Sequence, residues 1–143
     1  MTLISLPINP VPAGAVTGTF EGFDGLRLRY ARWEPTRGPV RGTICIFPGR
    51  GEFIEKYFEV VADLRRRGFA VAMHDWRGQG GSERMLSNSR KGHVLGFTQY
   101  DRDVPIFRSL FPTFRRPTRR SRTPWAPTSS FAMRTTSCRP SSA

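Results

Sequence analysis

The sequence predicts an α/β fold in which a β-hairpin is joined to buried parallel strands by a crossover helix. Three observations carry this. An Asp24-Gly25 pair separates two strand-like runs. Two short apolar runs, residues 42–48 and 69–73, each end in a turn-forming or polar segment. The stretch between them repeats apolar residues every three or four positions.

Residues 16–23 and 26–33 flank Asp24-Gly25, and Asp-Gly between alternating runs is a strong two-residue hairpin signal. In the second run Leu26, Leu28 and Tyr30 alternate with Arg27, Arg29 and Ala31, which predicts a strand with one face in water. Residues 42–48 (GTICIFP) form a nearly continuous apolar run, the pattern of a buried parallel strand. It ends in the turn Gly49-Arg50-Gly51.

A helix is predicted over residues 53–67, where Ile54, Tyr57, Phe58, Val61 and Leu64 share one face. Arg65, Arg66 and Arg67 suit its carboxyl-terminal dipole, and Gly68 is placed to cap it. Residues 69–73 (FAVAM) then read as a second buried strand running into His74-Asp75-Trp76. Another helix is expected from Phe97 to about Asp103. Residues 1–15 form an N-terminal arm ahead of this unit.

A length of 143 residues fits one modest domain, and 38% hydrophobic with 24% charged residues is apolar enough for a core. No apolar run approaches the roughly eighteen residues a membrane-spanning helix requires. Residues 1–15 lack a basic leader and are broken by prolines, so no secretory signal is expected and the cytoplasm is the expected compartment. Cys45 and Cys138 are too few and too far apart for a disulfide framework or a zinc site.

The net charge of +12 suggests a polyanion binder when read globally. Its distribution argues otherwise. All 11 acidic residues lie at or before Asp103, where the net charge is +4, and residues 104–143 hold eight arginines and no acid, a net of +8. With six prolines and an excess of Arg, Ser and Thr, residues 104–143 are expected to be disordered.

Three local patterns bear on chemistry. In Pro48-Gly49-Arg50-Gly51-Glu52, glycines after a buried strand let backbone N–H groups approach a ligand and stabilise an oxyanion, or they simply make a tight turn. The spacing does not match nucleotide-binding glycine fingerprints. Asp75-Trp76-Arg77-Gly78-Gln79-Gly80-Gly81-Ser82 follows the next strand, where it could wrap a site or buttress one; buttressing is favoured. Lys91-Gly92-His93-Val94 holds a lone histidine, more often a surface or packing residue than a base. Ser82, His93 and Asp75 have the residue types of a catalytic triad, but Gly-Gly-Ser is ordinary turn chemistry and nothing sets Ser82 on a strand-to-helix elbow.

Together the motifs resemble the α/β-hydrolases, and more narrowly the bacterial lysophospholipase and monoacylglycerol-lipase branch grouped with the S33 serine aminopeptidases. The resemblance rests on GRGEFIEKYFE from Gly49, DWRGQGGS from Asp75 and RKGHV from Arg90, and covers about residues 16–103. It implies an N-terminal portion of an α/β-hydrolase sheet, a serine hydrolase acting on lysophospholipid or acylglycerol esters, and no cofactor. By resemblance the oxyanion donor is the backbone N–H of Arg50, flanked by Gly49 and Gly51. Pro48 stands where the family usually has histidine. The loop bearing Asp75, Arg77, Gly78, Gly80 and Ser82 is implied to be structural.

The family's nucleophile elbow is expected about forty residues beyond Ser82, yet the chain contains no G-x-S-x-G. No nucleophile, acid or base carries over, so the chain is expected to be truncated and inactive. A frameshift in a GC-rich gene accounts for the change of composition. One synonymous coding of residues 121–126, read from the third base of each codon, gives Ala-His-Ser-Met-Gly. The competing expectation is a protein whose basic tail grips nucleic acid or anionic membrane without sequence specificity, with Phe107, Phe111, Phe114 and Trp125 as stacking groups. A frameshift origin argues against such binding being selected.

Overall fold

The computed structural model describes residues 2–111. Strands β1 (Val16–Glu21), β2 (Arg27–Trp33), β3 (Gly42–Ile46) and β4 (Phe69–His74) form one mixed sheet in the order β1-β2-β4-β3. β1 and β2 pair antiparallel, β2 and β4 antiparallel, and β3 and β4 parallel. Among the described residues, the last strand in sequence is thus an interior one. β2 and β3 share no ladder and meet only through β4.

The hairpin forms, but around residues 22–26 and not as a two-residue turn. Glu21 pairs with Arg27, and Gly22 donates to the Leu26 carbonyl at 2.8 Å. The Asp24 carboxylate accepts the Leu26 N–H and also serves a partner described below. The wider loop is what lets this carboxylate turn back toward the sheet.

A single 3-10 turn, Ile54–Tyr57, runs into helix α1 (Phe58–Arg66). Its apolar face is the one the spacing predicts. Ile54, Phe58 and Val61 are buried with Ala31, Trp33, Val71, Met73 and Leu3 of the arm. Gly68 closes the helix at φ +87°, a left-handed conformation that glycine takes without steric cost.

Helix α2 (Thr98–Ser109) covers the opposite face, where Phe107 packs with Phe20, Leu28 and Ala72. Val71 and Met73 face α1 while Ala72 faces α2, as alternation along one strand requires. The result is a helix–sheet–helix sandwich.

Three expectations need adjustment. The Arg29 face of β2 is not wet: Arg29, Ala31 and Trp33 are all buried, because β2 lies inside the sheet with α1 over that face. β3 is parallel as expected but only half-buried, since its outer edge pairs with nothing among the described residues. The helix expected to reach about Asp103 continues to Ser109 through Pro105, and the fully buried Phe107 lies beyond the composition break. Residues 112–143, including the shifted-frame elbow and most of the basic tail, lie outside the described residues.

Candidate functional site

Two glycine-rich loops leave the carboxyl ends of β3 and β4 and meet. The Trp76 indole N–H donates to the Pro48 carbonyl at 2.6 Å, and the Phe47 and Trp76 rings stack at 5.6 Å. Open α/β sheets bind ligands at this end.

In the first loop the amides on either side of Arg50 are both committed. Gly49 donates its N–H to Glu52 Oε2 at 2.8 Å, and the Tyr57 hydroxyl donates to the same oxygen. These bonds, Tyr57 foremost, hold the Glu52 carboxyl below its ordinary range and push the Tyr57 phenol up. Gly51 donates its N–H to Gln79 Oε1 on the second loop. Between these two tied amides, the Arg50 N–H has no hydrogen-bond partner among the described residues, and Arg50 is exposed. An unpaired backbone donor in an exposed residue, with braced neighbours on either side, is suited to stabilise developing negative charge.

The second loop is built inward. Asp75 is fully buried, and its carboxylate accepts from Arg29 Nε at 2.6 Å, Gly81 N–H at 2.7 Å and Ile54 N–H at 2.9 Å. Burial raises its pKa, against the pull of these donors. The Ile54 bond matters most for position, since it ties the second loop to the chain leaving the first. Gly80 sits at φ +48° over Asp75, where a Cβ would collide with the carboxylate. Arg29 also forms a two-pronged pair with Glu55, both bonds 2.8 Å. Burial opposes the Glu55 charge, but the Arg29 and backbone bonds carry its pKa below the usual value.

Arg77 clamps the opposite side. It is fully buried, pairs two-pronged with Asp103 of α2 at 2.7 and 2.9 Å, and reaches Asp24 of the hairpin loop at 2.9 and 3.1 Å. Burial works against its charge, yet the two carboxylates more than offset this and its pKa rises. The Arg77 hydrogen bonds draw Asp24 below the ordinary carboxylate range.

Ser82 is buried, donating its hydroxyl to the Asp75 carbonyl at 2.7 Å and accepting the Arg29 N–H at 2.9 Å. His93 is exposed, with its backbone against Gly78. No hydrogen bond joins it to Ser82 or Asp75, so these three do not assemble as nucleophile, base and orienting acid.

His74 was not singled out from sequence. It is fully buried among the rings of Phe20, Phe47, Trp76 and Phe107, and neither ring nitrogen has a partner among the described residues. Burial pushes its pKa down to about 3. Sequence reasoning also passed over Arg29, Glu55, Asp24 and Asp103 as network members. An arginine in register with Ala31 and Trp33 on one face of the strand, with acids at the start of the following helix and just after the next strand, is the signal that could have found the first two. Among the described residues, no group of three or more His, Cys, Asp or Glu is placed to hold a metal ion, and no helix is long and apolar enough to cross a membrane.

The serine aminopeptidase S33 family matches residues 38–120. Lysophospholipase L2 of Escherichia coli strain K12 is 39% identical over 88 residues, covering 62% of this chain and 25% of that protein. Probable lysophospholipase L2 of Haemophilus influenzae is 31% identical over 88 residues, covering 28% of its length. The chain therefore spans about a quarter of the relatives it matches. Among solved structures, a soluble variant of monoglyceride lipase from Saccharomyces cerevisiae in complex with a substrate analog superposes with a TM-score of 0.57 at 23% identity, over 71% of this chain and 32% of that one. A carboxyl esterase from Bacillus coagulans in complex with glycerol gives 0.52 at 19% identity, over 72% and 34%. At such identities the structures establish shared fold.

Proposed function

The chain belongs to the serine aminopeptidase S33 family of α/β-hydrolases, and from that premise we propose that its described part is the oxyanion-binding portion of a lipid-ester hydrolase. The substrate class is acyl esters of glycerol or lysophospholipids, in keeping with the names of the relatives. The Arg50 N–H is the oxyanion donor. Gly49 and Gly51 flank it, with their own amides held by Glu52 and Gln79. Asp75, Arg77, Gly78, Gly80 and Ser82 fix the loop that supports it. The observation that carries this reading is the unpaired Arg50 N–H between two bonded ones.

In this mechanism a serine oxygen attacks the ester carbonyl, and negative charge develops on the carbonyl oxygen. A preorganised N–H lowers that barrier, each such donor being worth about 100- to 1,000-fold in kcat. The chain has no G-x-S-x-G elbow, and Ser82 is locked in structural bonds. We therefore propose that this chain does not turn over esters, and that the reading frame changes beyond Asp103, the last acidic residue of the sequence.

An assay of the purified chain on lysophosphatidylcholine and a short-chain aryl ester tests the first part; turnover above a heat-treated control overturns it. The nucleotide sequence tests the second, with Ala-His-Ser-Met-Gly expected in the shifted frame across residues 121–126. In a frame-restored protein, Arg50→Pro removes the donor and should lower kcat by about 100-fold or more, while Arg50→Ala keeps it and should not.

A further inference from the structure

The N-terminal arm is fastened to the fold at several points, yet its tip is left outside it. Leu3 is buried in the α1-side core. The Ile4 N–H donates to Glu55 Oε1 at 3.3 Å, Asn9 Nδ2 donates to the Glu55 carbonyl at 2.8 Å, and the Pro12 carbonyl accepts from Trp33 Nε1 at 3.0 Å. Between these anchors Leu6 and Asn9 exchange backbone bonds of 2.9 and 3.3 Å around Pro7 and Ile8, with proline in the first central position, where its fixed φ suits a turn. Yet Ile8 at the tip is 92% exposed, Ile4 65% and Leu6 52%. The anchors hold three large apolar side chains outward.

From this arrangement we infer that the arm is a docking element for a phospholipid surface. The inference rests on the lipid-ester reading of the adjoining site. Four features favour lipid as the partner. The arm carries no charged residue through Ala15, so sinking its tip into the boundary between headgroups and acyl chains strips no ion of water. Cations stand next to it: Lys56 follows Glu55 and lies 5.5 Å over the Phe53 ring, and Arg50 is exposed nearby in the chain. Phosphate-bearing headgroups complement that charge. A second apolar pair, Leu95 at 76% and Phe97 at 74%, lies beyond the Arg50 loop. It is reached through Tyr100, which touches Phe97 and accepts from Gln79, the residue that holds Gly51. Exposed apolar groups therefore sit on two segments tied by hydrogen bonds or ring contact to residues that support the site, an arrangement suited to a site that takes its substrate out of a lipid surface.

The test is flotation of the full chain with phosphatidylcholine vesicles, alone and with added phosphatidylglycerol. The chain should float with pure phosphatidylcholine, and binding should change less than about twofold between roughly 0.1 and 0.5 M sodium chloride, since apolar insertion is little screened. A double substitution, Leu6→Ser with Ile8→Ser, should weaken that binding by about tenfold or more with an unchanged thermal melt, as both side chains are exposed. Binding confined to phosphatidylglycerol vesicles and lost in salt would assign the interaction to basic residues and overturn the inference. So would equal binding by the double variant, or a concentration-dependent oligomer that Ile8→Ser dissolves without vesicle binding. Flotation reads no turnover, so its failure leaves the ester-hydrolase reading standing, and absence of hydrolysis leaves this inference standing.

Discussion

The loops after β3 and β4 have similar glycine content and opposite constructions. The first is mostly exposed and leaves the Arg50 amide unpaired between two that are tied down. The second buries Asp75, Arg77, Gln79 and Ser82 and spends their polar groups on neighbours. Glycine content therefore says little about which loop binds and which supports. What separates them is what the bonds leave over: one unpaired amide in the first, and in the second a set of buried polar side chains bonded to one another and to the backbone.

The largest effect should come from breaking the second loop's clamp. Arg77→Ala leaves Asp103 buried without its cation and is expected to destabilise the fold by about 3–5 kcal/mol, read as a shift in the urea midpoint. A shift below about 1 kcal/mol would mean that α2 is held by Phe107 alone.

His74, at the entrance to that loop, should make the fold acid-sensitive. Its pKa is about 3 folded against an ordinary value of 6.5, so the unfolded chain binds the proton first. The contribution is intact above pH 6.5 and declines as pH falls through the window from 6.5 to about 3, by about 1.4 kcal/mol per pH unit. His74→Phe should flatten that part of the stability profile.

A smaller loss, about 1 kcal/mol, is expected for Ser82→Ala, which removes the bridge between the Asp75 carbonyl and the Arg29 N–H. Wild-type chain should not label with a serine-directed fluorophosphonate. Labelling that Ser82→Ala abolishes would make the second loop reactive and erase the contrast. The smallest effect concerns the first loop alone: the Arg50 amide should exchange hydrogen faster than those of Gly49 and Gly51. In Glu52→Gln the Gly49 amide should speed up with little change in melting temperature.

Much of the fold was legible because its signals are local. Ile54, Phe58 and Val61 mark a helix face by spacing, and Gly68 marks its end. What escaped was set by what lies on top of each element. The alternation around Arg29 reads as a wet face, and only Glu55 and Asp75, 26 and 46 residues away, make that position tenable in the interior. The apolar run of β3 identifies a strand but not its place at the rim of the described sheet. α2 was cut short because Pro105 and an arginine-rich composition conceal the spacing of Asp103 and Phe107, which the structure buries on one side of the helix. For the site, the motif marks the Arg50 loop; the bonds that leave the Arg50 amide unpaired between two tied ones run to Gln79 and, through Glu52, to Tyr57, pairings that the patterns containing those residues do not reveal.

The sheet order also governs when the molecule can begin to exist. The hairpin of β1 and β2 and the solitary β3 share no backbone bond, and β4 supplies the ladder to both. During synthesis a ribosome can therefore release the first 68 residues without any of them finding the four-stranded register. Phe69–His74 must emerge and slide between two waiting partners, one antiparallel and one parallel. Sheet formation is then a late, all-at-once event dominated by contacts distant in sequence, which slows folding. Until β4 arrives, the apolar strand Gly42–Ile46 has no edge to rest on, and that interval is when a nascent chain of this kind most needs a chaperone.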